Sequence, residues 1–182
     1  MGSTIDKPSK ILFVGRLTYQ KNITLLIKAL ENTQYELDVV GEGDKLEDLK
    51  NEGISRNVKI NFLGKVHNND LPKIYNNHAV YVLCSHFEGN PKTLLEAMAC
   101  GCAVIGTDVS GINTVIKNNI NGLLVPKNHL SIRCSINMLM NSRNLRLFLS
   151  ENAQKTIIQE YSLPGILKNE LNAYTDLSKY IK

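Results

Sequence analysis

Two glutamates lie eight positions apart in the stretch SHFEGNPKTLLEAMACG, which covers residues 85–101. Glu88 is followed at once by glycine, asparagine and proline, which are incompatible with regular helix. Glu96 lies in TLLEAMA, a run that contains several strong helix formers. Carboxylates this close in sequence could bind the hydroxyl groups of one ligand. The alternative is a loop acid and a helix-surface acid with no shared function.

The residues between the two glutamates predict a binding site for an anion at the start of a helix. Asn90 suits the capping position, and Pro91 suits the first helical position. The amides of residues 92–94 would then point out of the helix start, where they can bind an anion. Because carboxylates repel phosphate, the glutamates would instead bind hydroxyl groups on either side of it. A nucleotide sugar offers that order of groups: ribose hydroxyls, diphosphate and sugar hydroxyls.

A second candidate for anion binding is the stretch GRLTYQK, residues 15–21. It places Arg16 at the end of an apolar run and Lys21 at the start of a helical pattern. The planar guanidinium of arginine and the point charge of lysine together suit a diphosphate. The alternative is that both are ordinary surface cations.

The elements that must position these residues alternate between strand and helix patterns. Six short β-rich runs are bounded by turn residues, and they cover residues 10–15, 36–43, 58–64, 79–85, 102–107 and 122–126. Helical patterns separate them, including a weak one at 111–119, and residues 129–142, 143–162 and 163–182 then predict two or three closing helices. The alternation predicts one α/β domain, with a Rossmann-like, doubly wound parallel sheet of about six strands and closing C-terminal helices.

In sheets of this kind, ligands bind beyond the carboxyl ends of the strands. Glycines, two cations and two acids follow the predicted strands at that edge. No single one of them is specific, but their convergence indicates a binding site.

Several other classes of protein lack support in the sequence. No GxGxxG motif follows the first strand, and the P-loop, GxSxG and CxxC motifs are missing from the chain. The net charge of +4 is dispersed and aromatic residues make up 6%, which argues against a nucleic-acid partner. No apolar run approaches the length of a membrane span. The histidines show no metal-ligand spacing, and buried free thiols are expected for Cys84, Cys100, Cys102 and Cys134.

Five blocks of the chain resemble, in the same order, the carboxyl-terminal donor-binding domain of the retaining glycosyltransferases of family 4. Members of that family have the two-domain GT-B fold. The blocks are GRLTYQKN, VVGEGDKLEDL, INFLGKV, SHFEGNPKTLLEAMACGCAVIGTDVSGI and NGLLVP. The resemblance covers about residues 10–127 and is highly specific.

The resemblance implies a role for each of the four charged residues. Arg16 and Lys21 would hold the donor diphosphate, Glu88 would contact the donor sugar, and Glu96 would contact the ribose. The two glutamates would then form the E-x7-E motif of the family, and the catalytic contributions would come from Glu88, Arg16 and Lys21. The family needs no divalent metal, so we expect no cofactor. We also expect retention of the anomeric configuration.

The resemblance also extends the donor-binding set beyond these four residues. The amides of residues 90–93 would serve the phosphates and the sugar, and Gly64 and Lys65 would lie beside the base. The complete expected set is Gly15, Arg16, Lys21, Gly41, Gly64, Lys65, Glu88, Gly89, Asn90, Pro91, Lys92, Thr93 and Glu96.

The chain departs from the family pattern at three places. Asn22 replaces the usual glycine after the first lysine, and Asn90 replaces an apolar or aromatic residue after the glutamate-glycine pair. Asn113 and Thr114 stand where the family often has proline and glutamate.

The resemblance implies that residues 1–182 form one donor-binding domain, with residues 1–8 as a linker or cloning remnant and the acceptor-binding N-terminal domain absent. A full-length enzyme would transfer a hexose or N-acetylhexosamine from a UDP-sugar to a lipid-linked glycan of a bacterial surface polysaccharide such as O-antigen or capsule. It would work in the cytoplasm, at the inner face of the membrane, with peripheral membrane association. The isolated chain would be inactive. The alternatives are a non-catalytic nucleotide or sugar-phosphate binding module and a dinucleotide oxidoreductase.

Overall fold

The computed structural model describes residues 10–167, in which six strands form one parallel sheet in the order β3-β2-β1-β4-β5-β6. The strands are β1 Ile11–Val14, β2 Glu36–Val40, β3 Lys59–Gly64, β4 Val80–Leu83, β5 Ala103–Thr107 and β6 Leu123–Val125. Each lies within one of the six predicted runs. The predicted α/β fold, a Rossmann-like parallel sheet with flanking helices, is confirmed.

Between residues 23 and 156, six α-helices flank the sheet. They are α1 Ile23–Leu30, α2 Leu46–Ser55, α3 Leu71–Asn76, α4 Lys92–Ala99, α5 His129–Asn141 and α6 Arg143–Thr156. A 3-10 turn, Tyr19–Lys21, precedes α1, and a π-helical turn, Ile157–Tyr161, follows α6. The predicted last helix, residues 163–182, lies mostly outside the described residues. No helix within residues 10–167 is long and apolar enough to cross a membrane.

The helix predicted at residues 111–119 is wrong, because this segment forms successive turns. The side chain of Asn121 accounts for the difference: its Oδ1 accepts from the Lys117 amide at 2.7 Å, and its Nδ2 donates to the Val115 carbonyl at 3.1 Å. Asparagine side chains that bind nearby backbone groups in this way compete with helical hydrogen bonding.

The burial of the strands follows their position in the sheet. Every residue of β1, β4 and β5 is buried, and a continuous apolar run is typical of a central parallel strand that helices cover on both faces. In β3 the residues alternate between exposed and half-buried, because this strand pairs with β2 on one side. The core therefore holds the middle of the sheet rigidly.

The strand order reverses between β1 and β4, which pair with each other. From β1 the chain passes outwards to β2 and β3, and it then returns to β4 on the other side of β1. At such a reversal the loops after the two strands diverge and leave a crevice that binds ligands. Residues 15–22 follow β1 and residues 84–91 follow β4, so both candidate loops border this crevice.

Candidate functional site

The crevice contains a buried ion pair between one of the two predicted cations, Lys21, and one of the two predicted acids, Glu88. Lys21 Nζ lies 2.6 Å from Glu88 Oε1, and Ser85 Oγ donates to the same oxygen at 2.5 Å. The side chains of Lys21 and Glu88 are only 15% and 4% exposed. Sequence reasoning placed both residues in the site but missed the contact between them, which spans 67 positions.

One oxygen of Glu88 remains available to a ligand. In the described part of the chain, Lys21 and Ser85 both bind Oε1, and Oε2 has no hydrogen-bond partner. No buried side-chain oxygen or nitrogen there lacks a partner, so Oε2 must reach the solvent. It can accept a hydrogen bond from a hydroxyl group, while Lys21 retains two further N–H donors.

Contacts between the two loops hold Lys21 beside Glu88. The His86 amide donates to the Gln20 carbonyl at 2.8 Å, and Gln20 Nε2 donates to the Phe87 carbonyl at 3.0 Å. The rings of Tyr19 and His86 stack with their centroids 4.5 Å apart. Partial burial and the nearby Lys127 charge lower the pKa of His86, so its ring is neutral at pH 7.

Gly111, in the loop after β5, packs closely against the backbone of Glu88. Gly111 has φ +83°, and a Cβ at this position would lie 2.1 Å from the Glu88 carbonyl oxygen. The Glu88 amide donates to the neighbouring Ser110 carbonyl at 3.0 Å. The loop after β5 can approach this closely only because residue 111 has no side chain.

The glycines directly after β1 and β2 and the one that ends β3 also approach one another closely. The Gly41 amide donates to the Gly64 carbonyl at 2.8 Å. A Cβ at Gly41 would lie 2.0 Å from the Gly15 carbonyl oxygen. These three predicted residues therefore meet at the carboxyl edge, and the exposed Lys65 follows them. The expected position of the nucleotide base beside Gly64 and Lys65 stays a prediction.

Asn22 shows why the family pattern has glycine at its position. Its φ is 51° and its ψ is 43°, which is left-handed backbone. Asparagine adopts this conformation more readily than most residues with a side chain. The departure from the family pattern therefore preserves the turn that joins Lys21 to α1.

The start of α4 differs from the prediction in its hydrogen bonds. The helix begins at Lys92 after Pro91, and the Asn90 side chain does not cap it, so the predicted capping role of Asn90 is wrong. The turn at Pro91 uses two of the three amides expected to be free: Lys92 N–H donates to the Asn90 carbonyl and Leu94 N–H to the Pro91 carbonyl, both at 2.9 Å. Among the described residues, the Thr93 amide has no backbone acceptor and can still bind an anion.

The second glutamate lies on the exposed side of α4. Glu96 is exposed, and its Oε2 accepts from the hydroxyl of Tyr75 at 2.9 Å. One turn earlier, Thr93 Oγ1 accepts from the hydroxyl of Tyr81 at 2.8 Å. Sequence reasoning missed both tyrosines. The available signal was a tyrosine in an apolar strand and another in a short helix, since a buried phenol needs a partner for its hydroxyl.

Arg16 lies at the mouth of the crevice. It is exposed, and its guanidinium forms no hydrogen bond or ion pair with any residue that the structure describes, whereas its backbone carbonyl accepts from the Thr18 amide at 3.0 Å. Of the two predicted cations, Arg16 is therefore free to meet a ligand, and Lys21 already has a partner. The exposed residues Gly89 and Lys92 also border the start of α4.

The cysteines follow the sequence expectation in part. Cys84 and Cys102 are buried free thiols, whereas Cys100 is half-buried and Cys134 is exposed. Burial raises the pKa of Cys84 to about 12, so it stays a neutral thiol at pH 7. Its sulfur donates to the Asn22 carbonyl at 3.4 Å. No group of three or more potential metal ligands occurs between residues 10 and 167.

The profile of the family described as Glycosyl transferases group 1 matches residues 3–156 of the chain. The chain belongs to this family. Its fold is that of a glycosyl transferase group 1 domain, and the predicted relationship to the glycosyltransferases is confirmed at the level of this family.

Several glycosyltransferases are similar to this domain. An uncharacterized glycosyltransferase of Methanocaldococcus jannaschii is 38% identical over 177 residues, 93% of this chain and 45% of the relative. A Campylobacter jejuni α-1,4-N-acetyl-D-galactosaminyltransferase, whose name gives an undecaprenol-diphosphate-linked glycan as acceptor, is 30% identical over 161 residues, 84% and 44% of the two chains. An Escherichia coli O-antigen biosynthesis glycosyltransferase is 34% identical over 157 residues, again 84% and 44%.

A solved structure extends the likeness to three dimensions. The crystal structure of a mutant of S. aureus TarM, in complex with fondaparinux, α-GlcNAc-glycerol and UDP, matches with a TM-score of 0.83 and 25% identity. The match covers 91% of this chain and 35% of TarM. The chain thus spans less than half the length of each of these four relatives.

Proposed function

We propose that this chain is the donor-binding half of a retaining glycosyltransferase of family 4, which transfers a sugar from a nucleoside diphosphate sugar to a glycan acceptor. The observation that supports the proposal is that Glu88 precedes the start of α4 and Glu96 follows it, each with one carboxylate oxygen, Glu88 Oε2 and Glu96 Oε1, that no residue in the described range 10–167 binds. Arg16 and the Thr93 amide lie at the same edge of the sheet and suit the phosphates between them.

The ion pair of Lys21 and Glu88 explains how a carboxylate can lie beside a bound diphosphate. A buried carboxylate next to a diphosphate would repel it, but Lys21 neutralises Glu88 and keeps two N–H groups for the phosphates. When the glycosidic bond to the diphosphate breaks, negative charge grows on the departing phosphate oxygens. Lys21, Arg16 and the start of α4 would stabilise that charge in place, which is how preorganised donors accelerate group transfer. Independence from a divalent metal stays a prediction.

The donor and the acceptor are proposed by analogy with the relatives. UDP is bound in the TarM structure, and we propose a UDP-hexose or UDP-N-acetylhexosamine as the donor here. The Campylobacter relative acts on a lipid-linked glycan according to its name. A similar acceptor, bound by a second domain at the inner face of the cytoplasmic membrane, would place the full-length enzyme in the synthesis of a bacterial surface polysaccharide.

Calorimetric titration with UDP, GDP and NADH tests the proposal. We expect the chain to bind UDP and not NADH, because no dinucleotide fingerprint is present, and to transfer no sugar by itself. Binding of NADH without UDP or GDP would contradict a glycosyltransferase. A protein that binds UDP, yet transfers no sugar when joined to its acceptor domain, would be the non-catalytic binding module instead.

Glu96→Ala is expected to weaken UDP binding by roughly tenfold or more, since a hydrogen bond to a charged group contributes about 1.5–3 kcal/mol. Titration of both proteins with UDP measures the effect. Glu47→Ala is the matched control, because Glu47 is an exposed helical glutamate on α2 that pairs with the surface residue Lys50. Equal UDP affinity in Glu96→Ala and the unaltered chain would remove Glu96 from the site.

A further inference from the structure

Two buried tyrosines lie together beneath α4. Tyr75, near the end of α3, is 1% exposed, and Tyr81, in the middle of β4, is fully buried. Their rings meet edge to face, with centroids 6.1 Å apart and planes at 62°. The pair belongs to the apolar core, but both phenol hydroxyls point to polar side chains of the candidate site.

Each hydroxyl holds a different residue of α4. Tyr75 donates to Glu96 Oε2 at 2.9 Å. Tyr81 donates to Thr93 Oγ1 at 2.8 Å, which is much closer than its other acceptor, the Val14 carbonyl at 3.5 Å. Thr93 and Glu96 are three positions apart and so lie on one face of the helix. Both are among the residues to which the proposed function gives a donor contact.

We infer that Tyr75 and Tyr81 are positioning residues for the nucleotide: Tyr75 orients the Glu96 carboxylate towards the ribose, and Tyr81 orients the Thr93 hydroxyl towards the diphosphate. This inference rests on the proposed donor-binding function. It assigns a ligand-directed role to two core residues that touch no ligand themselves.

For Glu96 the role follows from side-chain freedom. An exposed glutamate on a helix samples many rotamers, and it loses this freedom when it binds a ligand. The bond from Tyr75 fixes Oε2 before any ligand arrives and leaves Oε1 to accept from a ribose hydroxyl. Preorganisation of this kind increases affinity without adding a contact to the ligand.

For Thr93 the role follows from the direction of the hydrogen bond. Because Thr93 Oγ1 accepts from Tyr81, the proton of its own hydroxyl is free to be donated elsewhere. The Thr93 amide also lacks a backbone acceptor among the described residues. The amide and the hydroxyl of one residue can therefore meet the same phosphate at the start of α4.

The two phenols keep their protons over a wide pH range. Burial raises the pKa of Tyr75, and the nearby Glu96 carboxylate raises it further. Burial also raises the pKa of Tyr81 well above its usual value. Both hydroxyls are therefore protonated at pH 7 and can donate hydrogen bonds.

The test must separate this role from mere core filling, because a buried phenol needs a hydrogen-bond partner in any case. We therefore compare Tyr75→Phe and Tyr81→Phe, which keep the ring, in calorimetric titrations with UDP, 2′,3′-dideoxy-UDP and uridine. Tyr35→Phe is the control, since Tyr35 is half-buried before β2, at the opposite edge of the sheet. Thermal unfolding checks that each variant folds.

Tyr75→Phe is expected to reduce the preference for UDP over 2′,3′-dideoxy-UDP by about three- to tenfold, with little change in binding of the dideoxy nucleotide. Tyr81→Phe is expected to reduce the preference for UDP over uridine and to leave the ribose preference intact. Tyr35→Phe should change neither ratio. If one variant does not fold, the other still tests its own half of the pair.

Unchanged ratios in a folded variant that still binds UDP would overturn the inference and leave the proposed function standing. A loss that is equal for UDP, its dideoxy form and uridine would also overturn it, because it would show a general structural effect. Failure of the unaltered chain to bind UDP at all would overturn the proposed function and the inference together.

Discussion

Replacing Lys21 with methionine is expected to lower the free energy of unfolding by about 3 kcal/mol, since removing one partner leaves a buried charge uncompensated. The Glu88 side chain is only 4% exposed and would keep Ser85 as its sole described partner. Methionine preserves the length and the apolar stem of the lysine. The same variant should also weaken UDP binding more than uridine binding, because the proposed role of Lys21 concerns the phosphates. Urea denaturation and calorimetry measure the two effects.

Two further variants make this expectation specific. Glu88→Gln in the Lys21→Met background should restore a large part of the lost stability, because it removes the uncompensated charge. Lys45→Met is the matched control: Lys45 pairs with Asp48 at 2.9 Å, but both side chains are well exposed. Surface pairs contribute at most about 1 kcal/mol. An equal and small loss for Lys21→Met and Lys45→Met would mean that the buried pair does not stabilise the domain.

Gly111→Ala is expected to lower the free energy of unfolding by about 2–4 kcal/mol, from left-handed strain together with a backbone clash. The added Cβ would lie 2.1 Å from the Glu88 carbonyl oxygen, so the loop after β4 would have to move. That movement would displace Glu88 from Lys21 and weaken the binding of a UDP-sugar. Urea denaturation and titration with UDP-glucose and UDP-N-acetylglucosamine measure both consequences.

Gly89→Ala is the control for the stability of this variant, because Gly89 lies in the loop after β4, which Gly111→Ala is expected to move. A Cβ at Gly89 meets no atom within 4 Å, and its φ lies outside the strained range. Its effect on stability should stay within about 0.5 kcal/mol. If Gly111→Ala were as stable as Gly89→Ala and bound the donor as well as the unaltered chain, the close approach of the two loops would not matter for the site.

The strands and their glycines could be predicted because they depend on local sequence. A strand that helices cover on both faces must be apolar at nearly every position, and this pattern is visible in β1, β4 and β5. Glycine ends such a strand where backbones come close, as Gly41 does beside Gly15. Once the strands alternate with helices, the parallel sheet and its binding edge follow from general rules of chain connection.

The first turn of α4 could not be predicted with the same success. Asn90 and Pro91 are favourable residues at a helix start, and the prediction used those average preferences. In the structure, the turn at Pro91 brings the Asn90 carbonyl within 2.9 Å of the Lys92 amide. The Asn90 carbonyl therefore binds the Lys92 amide, which was expected to be free for an anion. The average preferences of single residues do not show whether an amide will bind a backbone carbonyl or remain free for a ligand.

The fold, the family and the types of residue at the carboxyl edge of the sheet could be inferred from the sequence, since these depend on periodicity and on local motifs. The partners that hold each carboxylate became known from the three-dimensional structure. Lys21 and Glu88 are 67 positions apart, and Tyr75 and Glu96 are 21 apart. Such pairs meet because β1, α3, β4 and α4 pack around one crevice, and no local pattern records a contact between side chains on different elements.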